Sequence, residues 1–421
     1  MKQKIKKRIE QINNGIVPDG YQKNNYIGLA PKSWKLGKIN DVVDNIRRPI
    51  PKPKTPYWRL GIKSWAKGTF HAYVDEPDKV NMDELYIVYN NDLIVNITFA
   101  WEHAIAIANK NDDGLLVSHR FPTYEFKEFA VPNYYKYVVM QKHFKYMLEM
   151  ISPGGAGRNR VLNKKDFLSL PIYIPSYKEQ EKIAEILETQ DRIIEIKEKI
   201  LKSKEQQLKY FIQNLSLGNK GIFGSKGKWE SKKLYSILTE RSEKNSDTSK
   251  TICSVSVKKG VVSQYQHLGK NMAAEDTSNY KIVKYGDIVY TKSPTGKFPF
   301  GIVKQSFLNE EVAVSPLYAV YEPISIDIGY LLHIYFLNES NAEKYLYPIV
   351  NIGAKHTMNI SNDTFISKSI LFPSDEQEIS KLANLFRILI KEIEILEMNI
   401  NEEQKKKKAL MQLLLTGIVR V

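Results

Sequence analysis

Lys178–Leu217 reads KEQEKIAEILETQDRIIEIKEKILKSKEQQLKYFIQNLSL, and this stretch occurs twice in the chain. Steps of three and four residues from Ile183 land on Ile183, Leu187, Gln190, Ile194, Lys197, Leu201, Lys204, Leu208, Phe211 and Leu215. The same steps taken 199 positions later land on Leu382, Phe386, Leu389, Ile393, Leu396, Ile400, Glu403, Lys407, Leu410 and Leu414. Seven of ten positions are apolar in the first set and eight of ten in the second, with no Pro or Gly in either run. An alternating 3/4 step held for more than four heptads is the a/d seam of a coiled coil. About 38 helical residues reach ~57 Å at ~1.5 Å per residue, longer than a small domain is wide. Such a helix cannot bury its stripe within one compact domain, and the obvious partner for each copy is the other.

The copying extends outward from the helices. Trp34-Lys-Leu-Gly-Lys-Ile answers Trp229-Glu-Ser-Lys-Lys-Leu, and Asn91-Asp92-Leu-Ile-Val answers Gly286-Asp287-Ile-Val-Tyr, both at an offset of 195. Gly155-Ala156 answers Gly353-Ala354, and Pro175-Ser176 answers Pro373-Ser374, at 198. A slow drift from 195 to 199 in constant order is the mark of a duplication with a few loop insertions. Between these landmarks the copies differ, and Thr55–Val74 has no evident counterpart in Thr251–Gly269.

The boundaries follow from these landmarks. Residues 1–28 are a basic extension that begins with a short amphipathic helix, residues 29–175 a first globular unit, and 176–217 the central helix. Residues 218–228 are a Gly-rich linker, 229–373 a second unit, and 374–421 the closing helix and tail. Inside the first unit, Leu85–Tyr89 and Leu93–Thr98 are predicted strands. Tyr134–Met150 is a predicted helix, and Pro171–Pro175 a last strand before the long helix. The predicted fold class is α+β: two similar mixed α/β domains joined by two long antiparallel coiled-coil helices in a pseudo-two-fold internal repeat. The antiparallel sense follows because contact between like elements generates a two-fold axis.

Lys plus Arg number 62 against 47 acids, a formal charge of +15 with a pI near 9.3. That excess points towards a polyanion, of which nucleic acid is the commonest, against the plainer reading of a generally Lys-rich proteome. A lone cysteine, Cys253, excludes disulfides within the chain and any Cys-based metal site, which fits a reducing cytoplasm. No apolar run approaches the ~20 residues of a membrane span, so no membrane partner is expected, and the charged Met1–Glu10 stretch is unlike a signal peptide.

Catalytic equipment is scarce. Thr295-Gly296-Lys297 is followed by Phe298 and lacks the spacing of a phosphate-binding loop. The histidines at 71, 103, 119, 143, 267, 333 and 356 are scattered without metal-ligand spacing. No catalytic residue, metal ligand or cofactor is therefore expected on this chain, which reads as a binding protein. The candidates for base contact are basic and aromatic loop residues: Arg59, Lys63, Trp65, Lys67, Trp101, His103, His119 and Arg120 in the first unit, and Lys292, Thr295 and Lys297 in the second. Cations take phosphates or the guanine edge, and rings stack on bases. Ordinary core packing is the competing reading for Trp58, Trp65 and Trp101. Arg158, Arg160, Lys355 and His356, in Gly-containing loops, are candidate phosphate holders, with a plain turn as the rival reading.

Together these residues resemble a known family. Trp34 and Trp229 open the two units, and the Asn-Asp-Leu-Ile-Val and Gly-Asp-Ile-Val-Tyr stretches follow. A Gly-Ala then precedes a cation in each copy, and Pro-Ser…Glu-Gln starts each long helix. Leu-Ser-Leu-Gly218 and Leu-Leu-Thr-Gly417-Ile-Val-Arg close the helices. The ordered set looks like the DNA specificity (S) subunit of a type I restriction–modification system. The departures are modest: His356 stands where the first copy has Arg158, and the second helix starts with an extra residue. The resemblance implies two target-recognition domains, each reading half of a split double-stranded DNA site. It also implies helices that set the spacer and dock methyltransferase (M) subunits, with restriction (R) subunits completing the complex. S-adenosylmethionine, ATP and magnesium are then expected on the partners. A specificity subunit of a type IIB-like system and a coiled-coil scaffold without DNA are the alternatives.

Overall fold

The computed structural model describes residues 2–155, 160–219, 224, 228–265, 276–292, 294–352 and 358–421. The chain divides into two compact units, Met1–Ile196 with Ile400–Val421, and Lys197–Asn399. Each long helix, Tyr177–Ser216 and Glu376–Leu415, is thus shared between the units.

In the first unit a four-stranded sheet runs in the order Ile105–Ile107, Leu93–Val95, Thr123–Phe126, Val43–Ile46. Its second sheet runs Pro49–Pro51, Glu84–Ile87, Leu116–Val117, Tyr57–Ile62, Thr69–Val74, with Leu116 pairing parallel to Arg59. The second unit repeats both, without a counterpart to the Pro49–Pro51 strand among the described residues. Val303–Gln305, Ile288–Tyr290, Ala319–Pro323 and Leu238–Glu240 form one sheet, and Lys281–Val283, Val312–Val314, Thr251–Ser256 and Gly260–Ser263 the other. The hairpin Tyr57–Val74, which has no visible match in sequence, therefore does have a structural one, the hairpin Thr251–Ser263. Strand pairing is held by the backbone, so the side chains drifted apart while the ladder stayed.

Two buried clusters recur at the residue level. The Trp34 indole N–H donates to Glu179 Oε2 at 2.9 Å, and the Trp229 indole N–H to Glu378 Oε1 at 2.6 Å. Arg48 forks onto Asp92 at 2.6 and 3.3 Å, and Arg241 onto Asp287 at 2.7 and 3.1 Å. Asp92 and Asp287 also accept the N–H of Tyr89 and Lys284, both at 2.8 Å. Buried acids without such partners would be unstable.

The expected helix over Tyr134–Met150 is two helices, Pro132–Val139 and Lys142–Met150. Gln141 is extended (φ −71°, ψ 148°) and starts the second, so a continuous apolar period conceals a corner. The first packs Tyr134, Tyr135 and Tyr137 into a core shared with Trp34, Phe144, Phe167, Ile183 and Leu187, closed by Leu414 and Leu415.

Within each unit the two long-helix segments run antiparallel. Gln190 Nε2 donates to Glu403 Oε2 at 2.7 Å and Asp191 meets Lys407 at 2.5 Å in the first unit. Lys204 meets Glu392 at 2.7 Å and the rings of Phe211 and Phe386 lie 6.5 Å apart in the second. Of the seam residues, Ile183, Leu187, Leu382, Phe386 and Ile400 are buried, while Ile194, Leu201, Leu208, Ile393 and Leu396 are partly exposed. Two helices cover only one side of each other, so the seam is driest where a globular core lies over it, although Ile400 is buried outside both core clusters.

Candidate nucleic-acid interface

Most of the first unit's candidate residues come together where loops leave the two sheets. The tip of the Tyr57–Val74 hairpin is a left-handed turn, with φ of +67° at Trp65, +49° at Ala66 and +81° at Gly68. A bulky residue in that region is strained, and neighbouring structure must hold it there. It is held by backbone bonds from Trp65 N to Glu102 O (2.9 Å) and Ala66 N to His103 O (2.8 Å). Trp65 is nevertheless 60% exposed, with the Lys145 ammonium 4.5 Å from a ring centroid. Lys63 and Lys67 flank it, both exposed.

Trp101 follows on a short turn, half-buried, with its indole N–H on Thr98 O at 3.1 Å and the Arg160 guanidinium over its ring at 5.3 Å. Arg120 donates to Thr98 Oγ1 at 3.2 Å, and Arg59 and Arg120 line one cavity of about 250 Å³ with Phe70, Phe99 and Phe121. His119 is exposed one residue away, beside a recess lined also by Arg47 and Lys164. Trp58 is 51% exposed, its ring 5.0 Å from that of Tyr73 and tilted by 55°, so neither it nor Trp65 is core.

Two candidates are committed to the scaffold. His103 is buried with φ +65°, its Nε2 2.6 Å from Val139 O, and burial lowers its pKa. Arg160 donates to Ser152 O and Glu149 O at 3.1 and 3.2 Å, closing the end of the Lys142–Met150 helix. Arg158, Lys355 and His356 lie outside the described residues.

The second unit places its candidates differently. Lys292, at φ +58°, donates to Asn362 Oδ1 at 2.5 Å, and Asn362 in turn donates to Glu240, which lies 3.6 Å from Lys281. Burial lowers the Lys292 pKa, so this amine is part of an internal network. Thr295 and Phe298 exchange both backbone bonds at 3.0 Å in a tight turn around Gly296, and Lys297 projects beyond it, 3.7 Å from Glu339. Sequence reasoning missed Arg47, Lys145, Lys164, Phe70 and Tyr73. Arg47-Arg48 was a visible cationic pair, but Lys145 sits on a helix whose face no loop pattern reveals.

Among the described residues no three or more His, Cys, Asp or Glu are grouped to hold a metal, and no helix is long and apolar enough to cross a membrane.

The first unit's two-sheet scaffold leads into a long helix, and residues 31–206 match the type I restriction modification DNA specificity domain. In fold, the chain is similar to the S subunit of the type I restriction–modification system from M. genitalium, with a TM-score of 0.54 and 13% identity over 93% of this chain and 97% of that one. It is also similar to a chain from a structure concerned with complex assembly and conformational transition of the type I R–M system, with a TM-score of 0.50 and 14% identity over 93% and 99%. No curated protein matches the sequence. The resemblance read from the duplicated landmarks is thus matched by the fold: two mixed α/β units with paired long helices.

Proposed function

We propose that this chain is the DNA-recognition subunit of a type I restriction–modification complex, each unit reading one half of a bipartite double-stranded site through its loops. The observation that supports it best is the face formed by Arg59, on the strand Tyr57–Ile62, with the loop residues Lys63, Trp65, Lys67 and Arg120, which falls within the stretch matching a DNA specificity domain. Lysines neutralise phosphates, while Arg forks and exposed rings address base edges and stacks. The second unit offers different loops on a repeated frame, so it reads a different half-site. The chain itself is non-catalytic and acts in the cytoplasm. Methyl transfer and cleavage belong to M and R subunits, which bring S-adenosylmethionine, ATP and magnesium. Ile196 and Ile200 on the central helix and Ile388, Ile395 and Met398 on the closing helix are exposed apolar residues suited to dock M subunits.

The test is duplex binding at two salt concentrations, followed by mapping of methylated sites with the M subunit present. Arg59→Ala and Arg120→Ala are expected to cost about 1–3 kcal/mol on the cognate site and to relax one half-site only. A methylation pattern indifferent to both substitutions, or an affinity indifferent to salt, overturns the reading.

A further inference from the structure

The second unit contains a cavity of about 530 Å³ lined by none of the residues assigned above to DNA contact. It lies where the Ile288–Tyr290/Val303–Gln305 hairpin meets the helix Ile326–Phe336 and the long-helix residues Leu208, Arg387 and Lys391. Lys304 lines it, on a strand, with 3% exposure, and its ammonium has no hydrogen bond or carboxylate partner among the described residues. An ammonium is costly to bury unpaired, so the fold alone gives no reason for this lysine.

The duplication supplies an internal control. Lys304 pairs with Val289 across its hairpin, and the corresponding pair in the first unit is Ala106 with Ile94. The same hairpin therefore folds with alanine in that place. Counting from Gln141 and Asn338, which start the next helix in each copy, His333 answers to Lys136 and Tyr330 to Asn133. Arg387 answers to Glu188 at the helix offset of 199. The first unit has a cavity of about 460 Å³ lined by Asn133, Lys136 and Glu188, so the hollow is inherited and its chemistry is not.

In the second unit that chemistry has two parts. Lys258 and Lys259 join Lys304 at the wall, with Glu394 the acid across from them. Phe307, Tyr330 and His333 form a ring cluster with centroids 5.6–6.0 Å apart, Tyr330 and His333 inclined by only 18°. Arg387 lies 4.5 Å over Tyr330 and pairs with Asp327 at 2.7 Å, so it braces the ring. His333 Nδ1 accepts the Gln305 N–H at 3.1 Å, which leaves Nε2–H as a donor. Cations beside an aromatic wall in a hollow of ligand size suit a planar base carrying an anion.

We propose that this cavity binds a free nucleotide, its phosphate held by Lys304 with Lys258 and Lys259 and its base lying against Phe307, Tyr330 and His333. A duplex presents its phosphates on a convex surface, which a lysine 3% exposed inside a hollow does not meet. The site stands independently of the DNA-recognition reading.

The experiment titrates the full chain with AMP, and with inorganic phosphate and adenosine as half-ligands, by calorimetry. AMP is expected to bind at one saturable site, more tightly than either half. Lys304→Ala, which copies Ala106, is expected to fold and to weaken AMP about tenfold or more. Phe307→Ala, at a ring 46% exposed, is expected to weaken AMP and adenosine while leaving phosphate unchanged. Duplex binding stays at its wild-type level in both variants. Absence of AMP binding, or unchanged AMP affinity in Lys304→Ala, overturns the proposal. So does loss of duplex binding in Lys304→Ala, which would put the lysine on the DNA path instead.

Discussion

Glu179 takes both the Trp34 indole N–H and the Arg420 guanidinium, the latter at 2.5 and 2.9 Å, inside the first unit. Glu179→Ala strands an indole N–H on a tryptophan only 1% exposed, and a loss of about 1–3 kcal/mol is expected in denaturant melts. A variant as stable as the parent refutes this account of the contact. The pH response is also set by single residues. Burial first, then Lys304, push the His333 pKa down to about 3 from 6.5. The unfolded chain therefore binds more protons between those values, so the neutral-ring contribution is full above about pH 6.5 and lost as pH falls. His333→Gln is expected to flatten the acid side of the Tm profile. Burial likewise lowers Lys304 from 10.5 to about 8. That penalty is full below pH 8 and vanishes above 10.5, so the Tm gain of Lys304→Ala is expected to shrink across that window. Neither effect was legible in the sequence, because nothing local to His333 or Lys304 announces that its surroundings are dry.

At the scale of elements, the long helices were readable because a 3/4 step over 40 residues leaves no other period available. Their energetics were not, since the seam looks uniform in sequence and is buried unevenly. Leu187, fully buried, is expected to cost about 2–5 kcal/mol when cut to alanine, and Leu201, partly exposed, distinctly less. Equal losses in urea melts contradict the uneven burial. The strands were harder to read: Leu93–Val95 and Ile288–Tyr290 have three residues each, all buried, and a run so short shows no alternation. Their duplication was visible only because Asp92 and Asp287, needed for the arginine forks, stand just before them.

For the molecule as a whole, the repeat was legible, and the division of each helix between two units was not. Residues 1–217 lack Leu410, Met411, Leu414 and Leu415, which pack on the first core. Phe211, Ile212 and Leu215 stand 199 positions before Leu410, Met411 and Leu414. The half-chain is therefore expected to dimerise, each copy lending the other its helix end, and with M subunits to methylate a palindromic site. A soluble monomer by mass in solution, or methylation of the same site as the full chain, contradicts this. The paired tryptophan contacts carry a consequence for inheritance. Trp34 on Glu179 and Trp229 on Glu378 are the same join made twice, at the same place in each copy. A crossover that exchanges the coding segments between tryptophan and Pro-Ser leaves each long helix with its indole partner while replacing every loop in between. The chain is thus built of two cassettes with matching ends, and on the proposed reading one such exchange would change one half-site while keeping both joins.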